Sequence, residues 1–234
     1  MTFPIRPFAL LLLFAKSVFA SSWSDTVETE LAGKNGNSDA PLAAIYRRAF
    51  LDDLPHRIIH FSDDAKQPTK EIFIGDGVAA VRSSKDWNVI ADGTNFYVWY
   101  QGAATGTVAP QNAIELFRYL EGIINPTGMM GIFYCAHLAD PKAFRTVEKG
   151  NVLEYNSLDP KAGIFTNWTF LQQKNPAWLL GFRWIDPQTK NLRESRISPP
   201  EHVSEIPTSF CTPPKEVIFS PGTINWSKDL IPYL

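Results

Sequence analysis

Asp86 to Val108, DWNVIADGTNFYVWYQGAATGTV, reads as two half-buried strands meeting at Asp92-Gly93, with a third beginning beyond Gly102. Asp-Gly suits a two-residue hairpin turn, because such turns need positive φ, which glycine accepts freely and aspartate tolerates. Trp87, Val89 and Ala91 share one face of the first arm. On the second arm Phe96, Val98 and Tyr100 share one face, and Tyr97 and Trp99 the other. The stretch predicts an antiparallel meander with aromatic residues on both faces and carries no catalytic signature.

The same period recurs late in the chain. Val147 to Tyr155, Ile164 to Gln172 and Trp178 to Ile185 read as successive strands, and two carry one-sided stripes. Ile164, Thr166, Trp168 and Phe170 form one stripe; Trp178, Leu180, Phe182 and Trp184 form the other. Sheet core and the lining of an apolar cavity both satisfy this pattern. Asp186-Pro187 then starts a hairpin turn in which Asn191 takes the left-handed position, and a proline-rich tail packs around the edge.

Helices are fewer. Pro41 to Leu51, with Asp39 as N-cap, places Leu42, Ile45, Ala49 and Phe50 along one side, and the Arg47-Arg48 pair faces solvent. Pro110 to Ile124 is the clearest helix, with Ile114, Phe117, Leu120 and Ile124 at helical spacing. Met129 and Met130 beyond it suit core filling or an adaptable lid. His56 and His60 alternate on a strand. They lack a third ligand at metal-site spacing and read as non-ligating.

The N-terminus has the form of a targeting segment. Arg6 precedes the apolar run Phe8 to Ala15, and Val18-Phe19-Ala20 offers a signal-peptidase site, so residues 1–20 read as a signal peptide. The run is shorter than the ~20 residues a bilayer span needs. No cysteine lies near Ala20, so the expected product is periplasmic or secreted without a lipid anchor. Residues 21–41 are polar and read as a flexible leader; residues 42–234, as a single domain. The chain has 22 basic and 24 acidic residues, a balance with no electrostatic footprint for nucleic acid. In an exported chain the two cysteines, Cys135 and Cys211, read as a disulfide closing a loop of about 75 residues, worth roughly 4 kcal/mol on the chain-entropy model.

The order of short helix, strands, the hairpin around Asp92, Gly93, Tyr97, Trp99 and Tyr100, a second helix, the Trp184-Ile185-Asp186-Pro187-x-Thr189 hairpin and Ile206-Pro207-x-x-Phe210 resembles the outer-membrane lipoprotein carrier and sorting superfamily. The resemblance spreads over residues 42–214. It implies an α+β fold, an antiparallel curved β-sheet forming an open half-barrel whose concave apolar face is covered by helices, carrying acyl chains through water. The aromatic content and the cysteine pair depart from that pattern.

An exported hydrolase is the competing class, but no Gly-x-Ser-x-Gly, His-Glu-x-x-His or phosphate-cradling loop appears. A structural or protein-interaction module is the other alternative. The expectation is therefore a monomeric, non-enzymatic carrier or sensor of a lipid or acylated protein. It needs no cofactor or metal and meets a membrane-associated delivery partner. Its ligand-binding residues are expected to be Phe96, Val98, Tyr100, Trp168, Phe170, Leu180, Phe182 and Trp184.

Overall fold

Residues 22–32, 40–62, 68–124, 144–157, 168–186 and 188–226 are described in the computed structural model. In chain order the elements are α1 (Trp23–Ala32), α2 (Ala40–Phe50), β1 (His56–Ser62), β2 (Lys70–Ile74), β3 (Ala79–Ser83), β4 (Trp87–Ala91), β5 (Asn95–Tyr100), β6 (Thr105–Pro110), α3 (Ala113–Ile124), β7 (Phe144–Lys149), β8 (Val152–Ser157), β9 (Trp168–Gln173), β10 (Trp178–Ile185), β11 (Leu192–Ile197), β12 (Glu201–His202), α4 (Thr208–Cys211) and β13 (Ile218–Pro221). The protein is α+β. Its strands form one open sheet in the order β13-β6-β5-β4-β3-β2-β1-β11-β10-β9-β8-β7, with β12 beside β1.

Short connections make each strand pair with its neighbour in sequence, giving the two runs β1–β6 and β7–β11. The runs join where β1 pairs antiparallel with β11, and β13 alone runs parallel, along β6. Register decides the core. Ile58, Ile72, Val81, Val89 and Val98 stand opposite one another across five strands, and all are buried. This face and the buried side of α1, α2 and α3 form one apolar cluster. This is the helix-side face of the sheet.

The hairpin that organises the sequence forms with the expected faces: Trp87, Val89 and Ala91 pair with Tyr100, Val98 and Phe96. Its turn is displaced by one residue. Asp92 N–H bonds Asn95 O at 3.1 Å, so Gly93 and Thr94 are the central pair, and Gly93 has φ +93°. Glycine at the first central position is the type II′ pattern. Asp92 Oδ1 accepts from Thr94 N–H at 2.8 Å and Asn95 N–H at 2.7 Å, which holds the turn one step later than the Asp-Gly reading placed it.

The flexible-leader reading of residues 21–41 is corrected over Trp23–Ala32, which is helix α1. Trp23, Val27 and Leu31 recur every four residues, and all three are buried. Ser22 Oγ caps the start by accepting from Asp25 N–H at 3.1 Å, and Trp23 Nε1–H bonds Phe50 O at 2.8 Å. Arg47, expected to face solvent alone, grips Glu28 of α1 through Nε and Nη2 at 3.0 and 2.7 Å.

Other boundaries move for local reasons. Val147 to Tyr155 is two strands, β7 and β8, because Gly150 at φ +59° turns the chain back. Helix α3 starts after Asn112, whose Oδ1 caps Ile114 N–H at 2.9 Å; Pro110 ends β6 instead. Ile114 is exposed, whereas Leu116, Phe117, Tyr119, Leu120, Ile123 and Ile124 are buried. Lys190, not Asn191, takes the left-handed position of the late turn. The signal-peptide segment, Asp39, Met129, Met130, Cys135, Ile164 and Thr166 lie outside the described residues.

Candidate ligand-binding face

On β9 and β10, Trp168 stands opposite Trp184 and Phe170 opposite Phe182, all on the helix-side face. Alternation puts the four rings together, and the pleat lays them side by side. Trp168 lies 5.2 Å from Phe182, 5.3 Å from Trp184 and 6.0 Å from Phe170, with ring planes within 20° of parallel in each case. Phe170 and Phe182 are buried, while Trp168 and Trp184 are half-buried.

This row lines up because β10 carries a bulge. Leu179 pairs with Gln172 and Gly181 with Leu171, leaving Leu180 unpaired and half-buried. Trp178, Leu180, Phe182 and Trp184 therefore do not form the simple alternating stripe read from sequence. Gly181 has φ +140°, and a β-carbon there would come within 2.0 Å of Ser195 O. Only glycine fits. The opposite face is charged across β7, β8 and β10: Arg183 Nη2 meets Glu154 Oε1 at 3.0 Å, and Lys149 Nζ meets Glu154 Oε2 at 2.9 Å. Lys149 and Arg183 hold the Glu154 carboxyl below its ordinary range.

Beside the rings, Ser195 stands opposite Phe182 on β11 and reaches the junction of the two runs of strands. Its Oγ lies 2.9 Å from His60 Nε2, and Thr69 Oγ1 lies 3.1 Å from His60 Nδ1. Thr69 donates its own proton to His60 O at 3.0 Å. His60 Nδ1–H therefore donates to Thr69, and Ser195 O–H donates to Nε2. Burial and the nearby Lys70 charge push the imidazole down to about 4. The ring is neutral and fully bonded, a connector across the sheet. His56 is also buried; its Nε2 lies 3.0 Å from Arg48 O. Among the described residues no group of three or more His, Cys, Asp or Glu could hold a metal ion.

Of the eight residues expected to bind ligand, the structure brings together Trp168, Phe170, Phe182 and Trp184, with Leu180 at the adjoining bulge. Phe96, Val98 and Tyr100 lie in the other run of strands. Phe96 and Val98 are buried in the core cluster, and Trp226 packs 4.6 Å from the Phe96 ring. Tyr100 is exposed, and its hydroxyl donates to Lys85 O at 3.0 Å. Cys211 is a half-buried free thiol; the expected pairing with Cys135 lies outside the described residues. Sequence reading missed the Ser195 partner of His60. The two are 135 positions apart, and no local pattern connects them.

No family model matches the chain. No curated protein matches it in sequence. Among solved structures, an uncharacterized conserved protein from Thermus thermophilus is similar over 80% of this chain and 100% of its own, at 10% identity and a TM-score of 0.43. That likeness assigns neither a family nor an activity.

Proposed function

We propose that the protein is an exported binding protein that carries or senses a lipid or acylated protein, without covalent chemistry. In this reading the sheet curves into an open half-barrel with α1, α2 and α3 over its concave face, as in the lipoprotein carriers the sequence resembles. Residues 1–20 are removed on export, and the mature chain works as a periplasmic or secreted monomer that meets a membrane-associated delivery partner.

The observation that supports it is the layer formed by Trp168, Phe170, Phe182 and Trp184. The packed rings form a continuous apolar group, and the half-buried Trp168 and Trp184 keep part of its surface accessible. A saturated chain laid on it gains about 25 cal/mol for each Å² of apolar surface removed from water, less the cost of ordering the chain. Acyl chains suit such a surface because they need area and no directional partner.

Native mass spectrometry of the mature chain, Ser21 to Leu234, purified gently from its export compartment, tests this. Extra masses matching lipids or acylated peptides, lost on delipidation, are expected. A clean apo mass, together with no uptake of a fluorescent acyl probe, overturns the reading in favour of an exported interaction module.

A further inference from the structure

On the face opposite α1, α2 and α3, an open cleft of about 760 Å³ lies between the end of β5, the turn at Gly102 to Ala104 and the segment from Ser209 to Val217. It is separate from the aromatic layer of β9 and β10. Arg82 forms its wall. One nitrogen, Nη2, donates to Ser209 O at 3.1 Å, Phe210 O at 3.0 Å and Thr212 O at 3.2 Å. The guanidinium lies 4.7 Å from the centre of the Trp99 ring.

These contacts fix the cation and leave part of it unused. Nε and Nη1 make no hydrogen bond among the described residues, and neither is sealed from solvent. No described carboxylate pairs with Arg82 at ion-pair distance, although Glu216 lines the same cleft and acts on it through space. Gln101 adds a second donor: its Oε1 accepts from Asn88 Nδ2 at 3.1 Å, which orients its amide nitrogen. Trp99, Phe210 and Val217 supply apolar wall.

We propose that this cleft binds a monoanionic carboxylate carried on a small apolar body. The carboxylate accepts from Arg82 Nη1 and the Gln101 amide, and the body lies against Trp99 and Phe210. Charge selects the class. One held cation offsets the desolvation of a single negative charge, whereas a dianion costs more to desolvate and finds no second cation among the described residues of the cleft. A charge-assisted hydrogen bond to a partly desolvated guanidinium is stronger than one between neutral groups, so removing the ligand's charge removes most of the affinity.

Titration of the ¹⁵N-labelled protein with benzoate, benzamide and phenyl phosphate tests it. Benzoate is expected to shift the amides of Gln101, Ala103, Ala104 and Val217 saturably, with a Kd of about millimolar order for so small a probe. Benzamide should leave them unmoved, and phenyl phosphate should bind more weakly than benzoate. Because Arg82→Gln also releases the Ser209–Thr212 segment, the deciding variant is Gln101→Glu. It keeps the acceptor for Asn88 and adds a negative charge, and should weaken benzoate about tenfold or more with an unchanged unfolding midpoint. Equal shifts with benzamide, or benzoate binding unaffected by Gln101→Glu, overturn the proposal. Benzoate shifts confined to the Trp168 and Trp184 indoles also overturn it and leave the acyl-binding reading standing.

Discussion

His60 and Ser195 are hydrogen-bonded at 2.9 Å across the junction of β1 with β11, the strand pair that makes one sheet out of two hairpin runs. Ile59 and Ser198 reinforce the same place: Ile59 N–H donates to Ser198 Oγ and Ser198 N–H to Ile59 O, both at 2.8 Å. The junction is stitched by side chains as well as by the ladder.

That junction makes the fold acid-sensitive. His60 is neutral when folded, with its pKa lowered from 6.5 to about 4. As pH falls below 6.5 the unfolded chain takes up a proton that the folded chain refuses until about pH 4. The contribution is complete above pH 6.5 and is lost between 6.5 and 4, by about 3 kcal/mol. His56, also lowered by burial, acts in the same direction. Urea midpoints measured between pH 7 and 4.5 should fall steadily, and His60→Gln should flatten that slope while lowering the midpoint at pH 7. An unchanged slope would show that His60 is not the group involved.

Gly181→Ala is expected to be among the most damaging single changes in the chain. Its β-carbon would meet Ser195 O at 2.0 Å at a φ of +140°, so steric overlap and backbone strain add, to about 3–5 kcal/mol. Loss of soluble protein, or a matching drop in urea midpoint, checks this. Gly102→Ala is the control: it has positive φ but nothing within 4 Å, and should cost about 1 kcal/mol.

Trp184→Ala and Phe182→Ala separate binding from packing. Phe182 is buried, and its truncation should cost about 3–5 kcal/mol. Trp184 is half-buried at the margin, so its removal should cost less stability and lower acyl-probe uptake several-fold. Uptake unchanged in a folded Trp184→Ala protein would make the layer core and remove the basis of the proposed function.

Val27→Ala tests helix α1. Val27 is fully buried among core residues, and its truncation should cost about 2 kcal/mol by thermal or urea unfolding. Arg47→Ala should cost less than about 1 kcal/mol, because the Arg47–Glu28 pair stands largely in water. A neutral Val27→Ala would return this segment to a mobile leader.

The central hairpin was legible because alternation and turn residues are local: Trp87 to Tyr100 keeps the expected faces, whereas Trp178 to Ile185 has the expected span but an alternation broken by its bulge. Helix α1 was missed, because polar residues between Trp23, Val27 and Leu31 masked a period only three apolar positions long. Half of the expected binding residues meet in one layer, because Trp168, Phe170, Phe182 and Trp184 sit on adjacent strands whose register follows from one bulge.

What the sequence by itself determined is the alternation of strands, the faces of the central hairpin and the α+β class, since these depend on steric preference and burial within a few residues. Only the tertiary structure decided that β1 closes against β11, that His60 meets Ser195, and that Arg82 bonds the Ser209–Thr212 carbonyls at the wall of an open cleft. Those contacts join residues more than 120 positions apart. Their energy exists only once the whole sheet has formed, so no local pattern encodes them.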